Sequence, residues 1–383
     1  MCRVATVSLE RGRITTVTGD VRVRDLEVSA YTIPTEQPEA DGTLAWSETV
    51  VIVVEPLLDS GIRGLGYTYG TPAVASLIRD KLRKEIVGRD VRDVTGAWEA
   101  MVRSIRNLGR PGLCSMAIAA VDIALWDTKA RAADEPLHHL LGAVREEVPV
   151  YGSGGFTSYT DKELVRQLRG WVEEGIPRVK MKIGMDRGAS WRRDLQRVEK
   201  VRAAIGDAEL FVDANGGYDR TQARRLGEDY ARMGVTWFEE PVSSDDLDGL
   251  AQLRSALPLD VTAGEYGYHL DYFRWMLDAG AVDVMQADIS RCAGITEWLR
   301  VAALCAAHQT PFSAHCAPAL HAHAACVPPN LRHIEYFHDH VRVDHMLFDG
   351  VLEPQDGCLR PTARAGLGLT LRREEAERYR TAV

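Results

Sequence analysis

Short apolar segments alternate with amphipathic helical patterns from about residue 148 onward. Eight of these segments have the length of strands, and they read VPVYGSG, RVKMKIG, ELFVDA, VTWFEE, LDVTAGE, VDVMQAD, TPFSAH and RHIEYF. Eight strand and helix units of this size are what a closed parallel barrel requires. The pattern therefore predicts an α/β fold in which residues 143–350 form a (β/α)8-type TIM barrel.

The first part of the chain has a different pattern. VRVRDLEVSAYTI and ETVVIVVEPLLDSG are typical of strands, and the polar PTEQPEADGTLAWS between them predicts a mobile loop. Helical patterns follow, with a break at Pro136 and an end at Gly142. These features predict an α+β domain over residues 1–142. The last segment, 351–383, lacks the barrel period, and we expect it to pack back on the first domain.

The composition is typical of a soluble globular protein. At 383 residues, with 45% hydrophobic and 26% charged residues, the chain can form a large barrel and a smaller domain. No apolar run reaches the length of a membrane span, and the start MCRVATVSLERGR lacks the apolar part of a secretory signal, so we expect a cytoplasmic protein. A net charge of −9 disfavours a nucleic-acid surface. The seven cysteines lack CxxC spacing, and four are expected to be buried free thiols: Cys292, Cys305, Cys316 and Cys326.

Chemistry in such barrels occurs at the carboxyl ends of the strands, so the polar residues there should meet in one pocket. Strands three, four and five end in Asp213, Glu239 and Glu265, and Glu240 follows the second of these. Clustered carboxylates repel one another unless a cation neutralises them, and ligands that are all oxygens favour Mg²⁺ over zinc. Any single acid here would more often be a helix cap or a solvated loop charge, but three at the same strand ends predict a magnesium site.

Two lysines occupy alternate positions of the second strand. Only seven of the 46 cationic residues are lysines, and Lys180 and Lys182 would point to one face of the sheet. Each cation disfavours protonation of the other, so one amine can act as a base. We assign that role to Lys182 and expect Lys180 to lower its pKa and to contact a substrate carboxylate. The alternative is that both side chains extend out of the strand end to solvent.

A second acid/base is predicted at the ends of the sixth and seventh strands. Asp288 bonded to one nitrogen of His315 would fix the imidazole tautomer and make the other nitrogen more basic. Glu335 ends the eighth strand and, if burial keeps it protonated, could donate a hydrogen bond to a developing oxyanion. A metal, two bases and an acid suit removal of the proton α to a carboxylate. Reprotonation then gives racemisation or epimerisation, whereas loss of a β-hydroxyl gives dehydration.

Together these motifs resemble the enolase superfamily and, within it, the mandelate racemase group. The segments that carry the resemblance are AIAAVDIALWDTKARAADEPLHHLLG, VKMKIG, VDANGGY, WFEEPV, AGE, MQAD, SAH and HIEYF. The resemblance implies that Asp213, Glu239 and Glu265 bind Mg²⁺, with Glu239 preferred over Glu240, and that Lys182 and His315 are the bases. It also implies that the first domain caps the barrel mouth and that its segments 34–47 and 64–70 select the substrate.

The strand ends also separate the chain from the muconate cycloisomerase-like groups, which carry a catalytic lysine on the sixth strand. Here that strand ends in Asp288, and Arg291 lies three residues later. Residue 265 is Glu rather than Asp. Members with this combination of Lys and His resemble acid-sugar dehydratases, which predicts dehydration of an aldonate or aldarate to a 2-keto-3-deoxy acid. A racemase or epimerase of a 2-hydroxy acid is the second interpretation, and homo-oligomers are common among such capped barrels.

The substrate is expected to be a small carboxylate, most simply a sugar acid. Residues predicted to contact it are Trp46, Tyr67, Tyr69, Asn215, Arg291 and His321. His321 and His323 could instead pack within the fold. Two other classes fit less well. A zinc amidohydrolase needs His-x-His at the end of the first strand, where VPVYGSGG has none, and a barrel that only binds ligands predicts a damaged site.

Overall fold

The computed structural model describes residues 21–383. The first 20 residues, on which the expectations of a first-domain start and of no secretory signal fall, lie outside the described residues. The strands are β1 (Val23–Ala40), β2 (Ala45–Leu58), β3 (Gly66–Tyr69), β4 (Val148–Gly154), β5 (Arg178–Lys182), β6 (Glu209–Asp213), β7 (Val235–Glu239), β8 (Asp260–Ala263), β9 (Val284–Ala287), β10 (Phe312–Ala314), β11 (Leu331–Phe337), β12 (Phe348–Asp349), β13 (Cys358–Leu359), β14 (Thr370–Leu371) and β15 (Arg380–Thr381).

The helices are α1 (Pro72–Leu77), α2 (Arg83–Ile86), α3 (Val94–Ser104), α4 (Leu113–Ala132), α5 (Leu137–Leu141), α6 (Asp161–Glu173), α7 (Trp191–Ile205), α8 (Arg220–Arg232), α9 (Leu247–Ala256), α10 (Leu270–Asp278), α11 (Ile295–Ala307), α12 (Pro318–Ala324), α13 (His338–Leu347) and α14 (Arg373–Ala376). A π-helical turn (Ile78–Leu82) joins α1 to α2, and a 3-10 turn (Glu377–Tyr379) follows α14. Within residues 21–383, no helix has both the length and the apolar character needed to cross a bilayer.

The predicted barrel is confirmed. Strands β4 to β11 are parallel and hydrogen-bonded in sequence order, and β11 pairs with β4 to close the ring. The interior below the mouth is filled by the buried side chains of Tyr151, Phe211, Trp237 and Val284, so the barrel is a packed core with no channel through it. The polar groups at the carboxyl ends of the strands therefore lie above an apolar floor.

The first domain combines a sheet with helices and lies against the barrel. Its antiparallel sheet has the order β15-β1-β2-β3, so the C-terminal strand β15 completes the sheet that the N-terminal part begins. Helix α4 packs closely on β3, since a Cβ on Gly66 would come within 2.3 Å of the Ala124 backbone nitrogen. The same helix contacts α11 of the barrel, where Asp122 accepts hydrogen bonds from the Thr296 backbone N–H and hydroxyl.

The C-terminal segment contacts both parts of the molecule. Besides the pairing of β15 with β1, strand β13 pairs with β4 of the barrel and β14 pairs with β12. The domain limits at residues 142 and 350 stay predictions.

The prediction of a mobile loop over residues 34–47 was wrong. Strand β1 continues to Ala40 and pairs with β2 up to Ala45, with a register irregularity between Pro34 and Glu39. Only a short turn remains, in which Asp41 Oδ1 accepts hydrogen bonds from the Thr43 and Leu44 backbone N–H groups. In this hairpin, residues 34–47, polar residues form strand because β2 supplies backbone partners for Pro34, Glu39 and Ala40, and most side chains are exposed or half-buried. We call this hairpin the capping ribbon.

Candidate active site

Lys180 and Lys182 lie at the mouth end of β5 and are both buried, with relative exposures of 0% and 5%. The two-residue period of the strand places both ammonium groups inside the barrel. Lys182 Nζ lies 2.5 Å from Asp213 Oδ2, and Lys180 Nζ lies 2.5 Å from Glu239 Oε1 and 2.8 Å from Glu335 Oε1. The alternative of two solvent-facing lysines is therefore excluded.

The three predicted metal ligands converge. Asp213, Glu239 and Glu265 each offer a carboxylate oxygen, and the three oxygens lie within 4.8 Å of one another in a buried position. Burial raises the pKa of Glu239 to about 8, although Lys180 opposes this effect. Three buried carboxylates at this spacing suit a hard divalent cation with oxygen ligands, so the donor set fits Mg²⁺.

Glu240 is buried beside this cluster and was not assigned a ligand role. Its Oε1 has no hydrogen-bond partner among the described residues. Burial, followed by the repulsion of Glu265 and Asp213, raises the pKa of Glu240 well above its usual range.

The lysine pKa values differ from the sequence-based expectation. Burial acts to lower the pKa of Lys182, but Asp213, Glu265 and Glu239 together outweigh burial, and the net pKa lies above the ordinary value. Lys180 lowers the pKa of Lys182, as expected, but by less than the carboxylates raise it. Lys180 itself is held by Glu239 and Glu335, so its predicted contact with a substrate carboxylate is not supported by this arrangement.

The Asp288 and His315 pair forms as predicted. Asp288 Oδ2 lies 2.8 Å from His315 Nδ1, and its Oδ1 accepts hydrogen bonds from the Ser290 N–H and hydroxyl. The other imidazole nitrogen, Nε2, lies 3.2 Å from Glu265 Oε2. Burial acts to lower the pKa of His315, but its anionic neighbours, including Glu265 and Asp288, raise the net pKa well above the usual range.

The expectation of a protonated Glu335 is corrected. Burial raises the pKa of Glu335, but Lys180, His315 and Lys182 together overcome this effect, and the net pKa falls below the usual range. Glu335 Oε2 also accepts a hydrogen bond from the Cys316 backbone N–H at 2.8 Å. The carboxyl group is therefore an anion that pairs with Lys180, and it is not a free donor.

A cavity of about 210 Å³ opens above these residues between the barrel and the capping ribbon. It brings together six of the predicted site residues: Trp46, Lys182, Asn215, Glu265, Arg291 and His315. Arg291 Nη1 lies 3.2 Å from Glu265 Oε1, which ties the arginine to the metal ligands. Asn215 has a positive φ of 45° and a buried Oδ1 without a hydrogen-bond partner among the described residues.

Three predicted substrate contacts lie elsewhere. The hydroxyls of Tyr67 and Tyr69 both donate to Asp344 Oδ1 at 2.8 Å, and neither side chain lines the cavity. His321 Nε2 accepts a hydrogen bond from the Ile289 backbone N–H at 3.0 Å, and its Nδ1 faces backbone carbonyls. Because internal partners occupy their polar atoms, these three residues are structural in this arrangement, and their predicted substrate contact is corrected.

Eight further residues line the cavity. Asp41 and Leu44 belong to segment 34–47, which was expected to select the substrate. The others had not been predicted, and they are Thr49, Tyr266, Cys316, Phe337, Asp339 and His340. Asp339 lies two residues after the end of β11, and Cys316 directly follows His315. The rule of reading strand ends could have found both if it had been extended by two residues.

The cysteines predicted to be buried free thiols are buried and unpaired. The five buried cysteines of residues 21–383 are unpaired, as is the half-buried Cys358. Cys316 is the one whose Sγ lies at the site, 3.2 Å from His315 Nε2. Its backbone has a φ of 48°, which turns the chain sharply after β10.

Comparison with known proteins agrees with this geometry. A family model described as enolase C-terminal domain-like matches residues 163–376, and one described as the mandelate racemase / muconate lactonizing enzyme N-terminal domain matches residues 27–142. The L-talarate/galactarate dehydratase of Salmonella typhimurium is 31% identical over 373 residues, which cover 94% of this chain and 92% of the relative.

Two crystal structures extend the comparison. A mandelate racemase/muconate lactonizing enzyme-like protein from Rubrobacter xylanophilus is 51% identical with a TM-score of 0.91, covering 94% of this chain and 100% of that one. The L-talarate dehydratase from Polaromonas sp. JS666, complexed with Mg and L-glucarate, is 29% identical with a TM-score of 0.85, covering 94% and 98% of the two chains.

The fold and the site thus define a capped (β/α)8 barrel enzyme with a carboxylate cluster at its mouth. The chain belongs to the mandelate racemase/muconate lactonizing enzyme family of the enolase superfamily, as its motifs predicted.

Proposed function

We propose that the protein is a Mg²⁺-dependent dehydratase that converts a sugar acid to a 2-keto-3-deoxy acid. The observation that carries this proposal is that both bases contact the carboxylate cluster. Lys182 Nζ lies 2.5 Å from Asp213, and His315 Nε2 lies 3.2 Å from Glu265. A substrate whose carboxylate lies at the cluster would have its α-carbon within reach of both.

Asp213, Glu239 and Glu265 would hold the Mg²⁺. When bound, the cation supplies positive charge that stabilises the enediolate form of the substrate and offsets the carboxylates that raise the pKa of Lys182. Lys182 accepts the proton from C2 as the general base. His315, held in one tautomer by Asp288, donates a proton to the hydroxyl on C3, which leaves as water. The resulting enol then tautomerises to the 2-keto acid.

Racemisation or epimerisation is the second candidate, since it uses the same two bases. His315 would then return a proton to C2 from the other side instead of protonating a leaving hydroxyl. The relatives that are named as sugar-acid dehydratases favour dehydration. The expectations of a cytoplasmic location and a homo-oligomeric assembly rest on composition and resemblance, and they stay part of this proposal.

The test uses the purified protein with Mg²⁺ in D₂O and a library of sugar acids. Proton NMR follows deuterium entry at C2, and a semicarbazide assay detects 2-keto products. We expect a 2-keto-3-deoxy product from at least one acid. Deuterium entry without a keto product would change the assignment to racemase or epimerase, and no exchange with any acid would contradict removal of the α-proton.

A further inference from the structure

The cavity has two chemically different ends. Lys182, Arg291 and His315 carry its basic groups, and all three lie next to the metal-binding carboxylates. The other end, which we call the capping end, is formed by the capping ribbon, Thr49 and Asp339. Asp41 and Asp339 are the ionisable groups of the capping end among the described residues that line the cavity, apart from His340.

Hydrogen-bond donors at the capping end are already used within the protein. The Thr49 hydroxyl donates to Asp339 Oδ2, and Trp46 Nε1 donates to the buried Glu39 at 3.0 Å. Arg342 Nη2 lies 2.6 Å from Asp339 Oδ1, but Arg342 does not line the cavity. The nearest arginine is therefore engaged with a protein carboxylate.

His340 adds one neutral donor. Its Nδ1 accepts a hydrogen bond from the Ala317 backbone N–H at 3.2 Å, and its ring stacks on Tyr69. Burial lowers the pKa of His340 to about 3, so the ring is uncharged at neutral pH and offers only the Nε2–H group.

Acceptor capacity, by contrast, remains. Asn215 Oδ1 is buried without a partner among the described residues. Asp41 and Asp339 also line the cavity, and each carboxylate accepts three hydrogen bonds within the protein. Because a carboxylate has about four acceptor sites, each can still accept one more hydrogen bond. A substrate hydroxyl can donate to such acceptors, whereas a second carboxylate can only accept hydrogen bonds. A second substrate carboxylate would face the Asp41 and Asp339 carboxylates, and Arg342, the cation beside Asp339, is already paired with Asp339. This arrangement selects against a second carboxylate.

We infer that the substrate is a monocarboxylate sugar acid, an aldonate, whose hydroxyls bind the acceptors at the capping end, and that dicarboxylate aldarates are disfavoured. The inference rests on the proposed function and narrows it. It also separates this chain from the Salmonella relative, which is named for the dicarboxylates talarate and galactarate.

The test compares matched pairs of five- and six-carbon acids. Each aldonate is paired with the aldarate that has a carboxylate in place of its terminal CH₂OH and the same configuration elsewhere. We expect kcat/KM with Mg²⁺ to be at least tenfold higher for the aldonate, and the paired aldarate to be at least tenfold weaker as a competitive inhibitor. An equal or higher kcat/KM for the aldarate would overturn this inference alone. If no acid in either series exchanged its α-proton, both the proposed function and this inference would be overturned.

A variant tests the part played by Asp339. Asp339→Asn removes an anion and releases Arg342, so the preference for the aldonate should fall at least threefold. The control is Asp349→Asn on β12, whose side chain is 71% exposed and outside the cavity, and it should leave the preference unchanged. An unchanged preference in folded Asp339→Asn would contradict the role of this residue. If this variant does not fold, the wild-type inhibition constants still decide the inference.

Discussion

Lys180 and Lys182 lie side by side in a barrel interior because each ammonium group faces carboxylates. Lys180 bridges Glu239 and Glu335, while Lys182 contacts Asp213 and lines the cavity. Removal of either partner would leave a buried charge unpaired, which is costly. The two lysines therefore divide their roles, with Lys180 holding the site together and Lys182 facing the substrate.

The first prediction separates the two bases. Lys182→Ala should lower kcat by a factor of about 10² to 10⁴, the usual contribution of a general base. His315→Asn should abolish dehydration but keep deuterium exchange at C2, because Lys182 still removes that proton. Proton NMR in D₂O measures both reactions. Lys200→Ala, in which an exposed lysine of α7 is removed, serves as the control and should behave as wild type. Wild-type turnover by Lys182→Ala would contradict the assignment.

Much of the site could be predicted because strand alternation and strand ends determine where side chains point. Asp213, Glu239 and Glu265 converge for this reason. The protonation state of Glu335 could not be predicted, since it depends on the position of Lys180, which lies two strands away in the ring. The positions of the Tyr67 and Tyr69 hydroxyls could not be predicted either, because their partner Asp344 is more than 270 residues away in the sequence.

The capping ribbon is the element that connects the first domain to the barrel mouth. Its turn lies directly on the strand ends, since a Cβ on Gly42 would come within 2.7 Å of the Ile183 carbonyl oxygen and 2.9 Å of that of Ala214. The Thr157 hydroxyl donates to the Asp41 carbonyl at 2.6 Å, and the Arg187 N–H donates to the Gly42 carbonyl. Only a residue without a side chain fits this contact.

The second prediction follows from that contact. Gly42→Ala should displace the ribbon turn and raise KM at least fivefold, while the Kd for Mg²⁺ stays unchanged because the carboxylates belong to the barrel. Steady-state kinetics and a metal titration measure the two quantities. Gly170→Ala is the matched control, since a Cβ on Gly170 of α6 meets nothing within 4 Å. An unchanged KM in Gly42→Ala would show that the turn does not hold the substrate end of the cavity.

A pair of buried histidines joins α5 to α12. His138 Nδ1 and His323 Nδ1 are 3.2 Å apart, and the two residues are 6% and 1% exposed. Burial, with a smaller effect of His138, lowers the pKa of His323 to about 3. The pKa of His138 is also lowered, by burial and then by His139. Both imidazoles are therefore neutral in the folded protein.

The third prediction concerns stability at acid pH. Histidine in the unfolded chain titrates near 6.5, so below that pH the unfolded state binds protons that folded His323 does not bind until about pH 3. The free energy of unfolding therefore decreases as pH falls from 6.5 towards 3. The decrease due to His323 is about 1 kcal/mol at pH 5.5. Urea unfolding at pH 7.5 and 5.5 should show a smaller loss in His323→Asn than in wild type. His308→Asn, at an exposed position, is the control. Equal losses in all three proteins would contradict the prediction.

The elements differ in how far the sequence predicts them. The barrel strands are apolar because helices cover them, so each could be recognised alone. The capping ribbon mixes polar residues with Pro, Ala and Gly, and it is strand only because a partner strand lies beside it. Its register could not be read from either strand separately.

The whole molecule is held together across the two parts at several points. Strand β15 completes the sheet of the first domain, and Asp122 of α4 binds Thr296 of α11. Asp127 of α4 also accepts hydrogen bonds from the Leu65 and Leu367 backbone N–H groups, which belong to opposite ends of the chain. The cavity, which includes groups from both parts, is therefore formed by the complete fold.

This dependence leads to the fourth prediction, that Mg²⁺ stabilises the whole molecule. Without a cation, Asp213, Glu239 and Glu265 lie close together and repel one another. A ligand that binds only the folded state adds about 2.7 kcal/mol of stability at 100 times its Kd. Thermal unfolding should therefore show a melting temperature that rises by several degrees with Mg²⁺ and falls again with EDTA. Glu265→Gln should lose this response, whereas Glu173→Gln, at an exposed position of α6, should keep it. A melting temperature that is insensitive to both Mg²⁺ and EDTA would show that the carboxylates do not bind the cation.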